Sequence, residues 1–260
     1  MLATRNGPMT PLVAETGGIN AMIVDSSALT EQVFDDIIMS AFHSAGQRCS
    51  CFRQLFLQQE IADNVFKMLQ DAMAEFKIGK ANCVTNYVSS AIHEQAYHNL
   101  MKHTKGLEEK GAQLLYKCEA PANEDGHYYV APREVMLNSA RGLEAEAFGP
   151  IRHVVKCRGE PMDNVIDEIN SAGYGLTLGL HTRLDAPTQQ ACNDAKVGNT
   201  HVNRHTTGAA VGAQPFGGQG LPGTEPKAGG PSYLHRFMVG VALSQITTAS
   251  GEDATLLASA

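Results

Sequence analysis

Residues 11–57 read PLVAETGGINAMIVDSSALTEQVFDDIIMSAFHSAGQRCSCFRQLFL, and the alternation in this stretch sets the fold class. Its first part, 11–25, predicts two short apolar strands around the Gly17-Gly18 turn. Val33, Phe34, Ile37, Ile38 and Ala41 then recur at helical spacing behind Thr30, which suits an N-cap. That helix is expected to end near Ala45-Gly46, with a β-rich run through Phe52, Leu55, Phe56 and Leu57 beyond Cys49. From Glu60 the helical pattern returns with Ile61, Val65, Leu69, Ala72 and Phe76. Outward from there, strands are predicted at 113–117, 127–131 and 152–157, and helices at 91–103, 162–171 and 186–196, with the strand LGLHT between the last two helices. Strands alternating with helices imply an α/β layered fold with a largely parallel sheet flanked by helices. No internal repeat is visible.

The bulk properties exclude several function classes. At 260 residues the chain can bury a full core as one large or two modest domains. A net charge of -7, with the charges interspersed, is wrong for a phosphate-binding surface. No apolar run approaches the roughly 20 residues that span a bilayer, and the first residues lack a signal-peptide core, so a cytoplasmic location is expected. The six cysteines include no CxxC pair, and in so long a chain they read as thiols, not as a disulfide scaffold or a zinc site. No GxGxxG joins a strand to a helix and no P-loop occurs, so a claim of dinucleotide binding cannot rest on a phosphate cradle within this chain.

Two residues stand out chemically. Cys49, in Ser44-Ala45-Gly46-Gln47-Arg48-Cys49-Ser50, sits at a predicted helix-to-strand junction, where the Arg48 guanidinium would lower a thiol pKa that is ordinarily about 8.5. Glu15 lies between apolar neighbours just before a tight turn. Taken singly, Cys49 reads as an inert core thiol and Glu15 as a cap or an ion-pair partner. The segment 203–230 is different in kind: its eight glycines and few long apolar residues make it a long loop system, and such loops more often carry function than decorate. His43 reads as a surface or core histidine rather than a partner for Cys49. His201 and His205 have no third ligand at metal spacing, so no metal site is assigned.

The runs ETGG, GQRCS, AFGP and QPFGG appear in this order, and together they resemble the aldehyde dehydrogenase superfamily. Glu15 and Cys49 also stand 34 residues apart, similar to the family's spacing of general base and nucleophile. AETGGINAMIVDSSAL, SAGQRCS, GYGLTLGLHTR, VGNTHVNR, GAAVGAQPFGGQGLPGTEPKAGGPSYL and the terminal ITTASGEDATLL are most similar to the L-glutamate γ-semialdehyde dehydrogenase module of the proline utilization A family. The likeness runs from about Pro11 to the C-terminus, with gaps around 80–145. It implies oxidation of L-glutamate γ-semialdehyde to L-glutamate with NAD+, in proline catabolism. Cys49 would be the nucleophile and Glu15 the base that activates water. Ser50 and the backbone N–H groups of Gly208 and Ala209 would hold the substrate carboxylate, Arg48 would add charge, and Phe216 would line the aldehyde pocket. A reading of Phe216 as a buried aromatic that bridges the loop to the core weighs equally. Glu146 would bind the nicotinamide ribose, with Phe148 behind the ring and Gly17 in the same cofactor-binding set. One oxyanion donor would be the Cys49 N–H; the family's amide side-chain donor comes from earlier sequence than is present here.

The resemblance divides the chain into a catalytic domain, 1–215, and a segment, 216–260, that returns to the cofactor domain and supplies an oligomerisation strand. The family's cofactor domain is mostly absent, so the chain reads as a fragment or truncated reading frame, and a homo-oligomer or a complementing N-terminal part is the expected partner. Departures from the family include Asn86-Tyr87-Val88-Ser89-Ser90 in place of a turn, and Pro222 and Glu225, which are expected to reshape the loop after QPFGG. Two other readings remain at this stage: an NAD-independent thioesterase-like remnant and a non-catalytic oligomerisation fragment.

Overall fold

The computed structural model describes residues 6–7, 12–124, 126–143, 145–210 and 212–244; the Ser- and Thr-rich tail after Gln245 and Pro11 lie outside them. Its centre is a seven-stranded sheet built from β1 (Asn20–Val24), β2 (Phe52–Gln58), β3 (Gln113–Lys117), β4 (Arg133–Leu137), β5 (Ile151–Cys157), β7 (Thr177–His181) and β8 (Asn199–Val202), in the order β3-β4-β5-β2-β1-β7-β8. Every adjacent pair is parallel except β3 with β4. A short β6 (Tyr174–Gly175) pairs antiparallel with β9 (Gln219–Gly220).

The central strands are buried on both faces, and successive side chains point to opposite layers. Met22 and Val24 of β1, Leu55 and Leu57 of β2 and Val154 of β5 pack under α1 (Thr30–Phe42) and α2 (Gln59–Ala74), through Val33, Ile37, Val65 and Leu69. The intervening Ala21, Ile23, Phe56 and Val155 face α4 (Met162–Ser171) and α5 (Asp185–Asp194), through Val165, Ile166, Ile169 and Ala191. Each such large aliphatic side chain, fully buried, is worth about 1.5–3 kcal/mol. The continuous apolar run of β1 and the helical periods beside it therefore specify the three-layer arrangement. α3 (Glu94–Glu109) closes the β4 side, with Leu100 against Val130 and Ile151.

Several element boundaries differ from the sequence expectation. Residues 12–19 form no strand, only an isolated bridge between Glu15 and Gly223, because their backbone pairs with a distant loop instead of with 20–25. Thr30 is the first residue of α1; Leu29 occupies the cap position without a side-chain hydrogen bond. The strand expected at 127–131 lies instead at β4, whose Val135 and Met136 pair with His153 and Val154. Tyr128 makes only a bridge to Ala91, which pushes the start of α3 back to Glu94 behind the capping His93.

Candidate active site

The topology gathers the candidate residues at one end of the sheet. Glu15 to Gly18 precede β1, Gly46 to Cys51 precede β2, and Glu146 to Pro150 precede β5. β1, β2 and β5 are adjacent and parallel, so the three segments that enter them meet at the same edge.

The approach to Cys49 is a left-handed turn. Ser44, Ala45 and Gly46 have φ of 57°, 54° and 66°. Two consecutive non-glycine residues in this region each cost on the order of 1–2 kcal/mol, so their surroundings must hold them. Asn20 Nδ2 donates to the carbonyls of Cys49 at 2.6 Å and Cys51 at 2.8 Å, while its Oδ1 accepts the Thr177 N–H at 3.0 Å. Thr206 Oγ1 donates to Ser50 O at 2.9 Å, and the Thr206 N–H is taken by Ser40 Oγ. Gln47 ties the turn to the next segment, donating to Ser90 O and accepting the Ile92 N–H. Glycine is required at 46, where a Cβ would run into Gly149 O, and at Gly17 (φ +118°), where it would run into the Glu146 carboxylate.

The electrostatics revise one expectation. Arg48 Nε donates to Ser44 Oγ at 2.9 Å, and the groups that favour the Cys49 thiolate are the N–H groups of Ser50 and Cys49 itself. Burial outweighs them and pushes the thiol above its ordinary value, with the carboxylates of Glu146 and Glu15 adding to the rise. Glu146 is raised mainly by burial, against the opposing effects of Arg53 and of the Gly18 N–H, which it accepts. Glu15 is also raised by partial burial, with Arg236 pulling it down. Cys49 and Cys51 are both free thiols, and the His43 ring faces Tyr87, with centroids 6.5 Å apart.

Glu15 is positioned by backbone pairing. The Thr16 N–H donates to Pro222 O at 2.6 Å, and the Thr224 N–H to Ala14 O at 3.0 Å. Pro222 thus serves through its carbonyl, and the loop after QPFGG is ordered against 14–16. An open cleft of about 590 Å³ is lined by Arg48, Cys49, Ser50, Phe148, Ala209 and Phe216, together with Gln47, Gln214, Ala228 and Gly229. Of the residues singled out from sequence, Arg48, Cys49, Ser50, Phe148, Ala209 and Phe216 thus share one opening. Gly208 (φ +81°), exposed, immediately precedes Ala209; Glu146 and Gly17 lie against each other, and they and Glu15 are not among the residues that line the cleft. Phe216 is the bridging aromatic as well as a wall: its N–H and C=O pair with Ala228.

Sequence reasoning missed the residues that hold these groups in place, chiefly Asn20, Arg53 and Thr206. A polar Asn opening an apolar strand and an Arg inside the β-rich run after Cys49 were the available signals, since both must be partnered once buried. Among the described residues no group of three His, Cys, Asp or Glu could hold a metal ion, and no helix is long and apolar enough to cross a membrane.

The left-handed turn that carries Cys49 thus lies beside a Gly-Gly turn, with the Glu15 and Glu146 carboxylates near the thiol, at the entry end of a parallel sheet. The model of the aldehyde dehydrogenase family matches residues 1–241, and the chain belongs to that family. Within it, the chain is 48% identical to the bifunctional protein PutA of Klebsiella aerogenes over 237 residues, which are 89% of this chain and 18% of that protein. It is 32% identical to the 1-pyrroline-5-carboxylate dehydrogenase of Bacillus subtilis, over 86% of this chain and 43% of that one. A crystal structure of bifunctional proline utilization A superposes with a TM-score of 0.85 at 48% identity, covering 91% of this chain and 24% of the other. The chain therefore spans less than half the length of each of these relatives.

Proposed function

We propose that this chain carries the acyl-transfer half of an NAD+-dependent oxidation of L-glutamate γ-semialdehyde to L-glutamate, a reaction of proline catabolism. The observation that carries the reading is the shared cleft: Cys49 and Ser50 open onto it together with Phe148, Ala209 and Phe216. Similarity to proteins named for proline utilization and for 1-pyrroline-5-carboxylate dehydrogenation supports the substrate.

The Cys49 thiolate attacks the aldehyde carbon, and the oxyanion that forms accepts the Cys49 N–H. A nicotinamide held beside Glu146 and Phe148 would supply the hydride acceptor needed to take the thiohemiacetal to a thioester. Glu15 then takes a proton from water as its oxygen attacks the acyl carbon, and Cys49 leaves as thiolate. Exposed Gly208 and half-buried Ala209, with Ser50, bind the substrate carboxylate, and the neighbouring Arg48 adds positive charge. The residues present suit a dinucleotide at one edge only: a bare Gly17 against Glu146, and a Phe148 face open to the cleft. Glu146 would accept ribose hydroxyls and Phe148 would back the ring; we assign no residue of this chain to the adenine end. NAD+ titration by calorimetry, followed by NADH absorbance with L-glutamate γ-semialdehyde, tests the reading. Cys49-dependent turnover is expected. Cys49 that reacts with thiol reagents in a chain that neither binds NAD+ nor turns over sinks it.

A further inference from the structure

Arg53 touches both segments that the proposed chemistry needs. Its Nη1 donates to Gly46 O at 2.7 Å and to Gly149 O at 3.3 Å; its Nη2 donates to Arg48 O at 3.1 Å and pairs with Glu146 Oε1 at 3.1 Å. The Arg53 Cζ also lies 5.3 Å from the centre of the Phe148 ring. The side chain is 1% exposed, so this guanidinium serves the interior alone. One fork therefore grips the turn that carries Cys49 and the segment that carries Glu146 and Phe148.

The backbone of Arg53 is fixed in turn. His153 Nδ1 lies 2.9 Å from Arg53 O, and a carbonyl only accepts, so the His153 proton is on Nδ1. His153 Nε2 is then an acceptor, and His103 Nε2, 2.9 Å away, must be the donor. Burial keeps the fully enclosed His153 neutral, with its pKa pushed down to about 3. The order of bonds runs from α3 through β5 to the main chain of β2, and from the Arg53 side chain to Glu146 and its Gly18 N–H.

We propose that Arg53 is a positioning residue that couples the nucleophile turn to the cofactor-facing carboxylate, with His153 and His103 fixing its main chain. This rests on the reading of Cys49 and Glu146 given above. A lysine has no planar fork and cannot reach four acceptors on two segments at once. The coupling is electrostatic as well as steric, because Glu146 is one of two carboxylates, Glu15 the other, whose charge opposes the Cys49 thiolate. When Arg53 holds and neutralises Glu146, that opposition is muted.

The test is a double-mutant cycle on the 260-residue chain, read as the pH dependence of Cys49 carbamidomethylation by iodoacetamide, which needs no cofactor. Arg53→Lys is expected to slow labelling at pH 8 by about three- to tenfold. In the Glu146→Gln background the same change is expected to alter the rate by less than about twofold. Equal slowing in both backgrounds assigns Arg53 a packing role only and overturns the proposal. If Arg53→Lys does not fold, the answer comes from nitrogen-15 spectra of the unsubstituted chain and of Glu146→Ala. Arg53 Nη–H signals that are resolved at first and merge in the variant support the coupling, and signals that do not change overturn it. A coupled cycle without NAD+-dependent turnover would defeat the function while leaving the coupling standing; turnover with an additive cycle would do the reverse.

Discussion

The chain around Cys49 is held by side chains of other elements, Asn20 from β1, Arg53 from β2 and Thr206 from beyond β8, while its own Gln47 reaches out to Ile92. The loop that brings Ala209 and Gln214 to the same cleft carries local ties among its described residues, with Ala210 accepting from the Gln214 N–H at 2.7 Å and donating to Gln214 Oε1 at 3.1 Å. Its outside anchor comes at the far end, where Asn199 binds Pro215 O and the Gly217 N–H. On the proposed function the two sides meet different demands. A reacting sulfur has to stand within a fraction of an ångström of its target, and only ties to rigid strands give that. A wall that takes up a flexible carboxylate works with local bonds that can be remade. The contrast predicts that stability is concentrated on the Cys49 side and substrate affinity on the other.

Asn20→Leu breaks the contrast most severely. It strips the hydrogen-bond partner from two carbonyls and a buried N–H while keeping the side chain's branching and number of heavy atoms. Each buried group left unpaired costs about 1–3 kcal/mol, so a loss of about 3 kcal/mol or more is expected in urea unfolding. A loss under 1 kcal/mol would mean that the turn holds itself. The next effect is read by pH. Because burial raises the Cys49 thiol above its ordinary value, the thiolate fraction climbs about tenfold per pH unit throughout the neutral range. Iodoacetamide labelling is therefore expected to keep rising past pH 9; a plateau by pH 8 would show the surrounding N–H groups outweighing burial.

How far these features were legible in sequence follows from the same physics. β1, β2, α2 and α4 show in the periodicity because their burial is two-sided or clearly amphipathic. The strand at 133–137 did not, since REVML places a buried Arg133 and Glu134 where a reader expects solvent. Glu134 is instead paired with the equally buried Arg152 on the neighbouring strand, a partner 18 positions away that no local pattern reveals. Cys49 and Glu15 were visible through motif order, but the expectation that Arg48 activates the thiol failed, because the guanidinium turns back to Ser44 across the left-handed turn. Asn20, Arg53 and Thr206 act through long-range bonds to main-chain carbonyls, and a carbonyl leaves no trace in sequence.

Two smaller changes sharpen the comparison from either wall. Thr206→Val removes the hydroxyl that binds Ser50 O and keeps the shape, so about 1 kcal/mol of stability is expected to go. Gln214→Ala on the opposite wall removes one bond between partly exposed groups, and its stability change is expected to stay within about 0.5 kcal/mol. If the loop forms the carboxylate pocket, the same change raises KM for L-glutamate γ-semialdehyde severalfold while kcat moves little, the pattern of lost uniform binding. Because Gln214 also lines the cleft, a fall in kcat at constant KM would instead place the loop in contact with the reacting carbon. The division between a rigid nucleophile side and an adaptable substrate side would then have to be redrawn with Phe216 on the rigid side, held there by its pairing with Ala228.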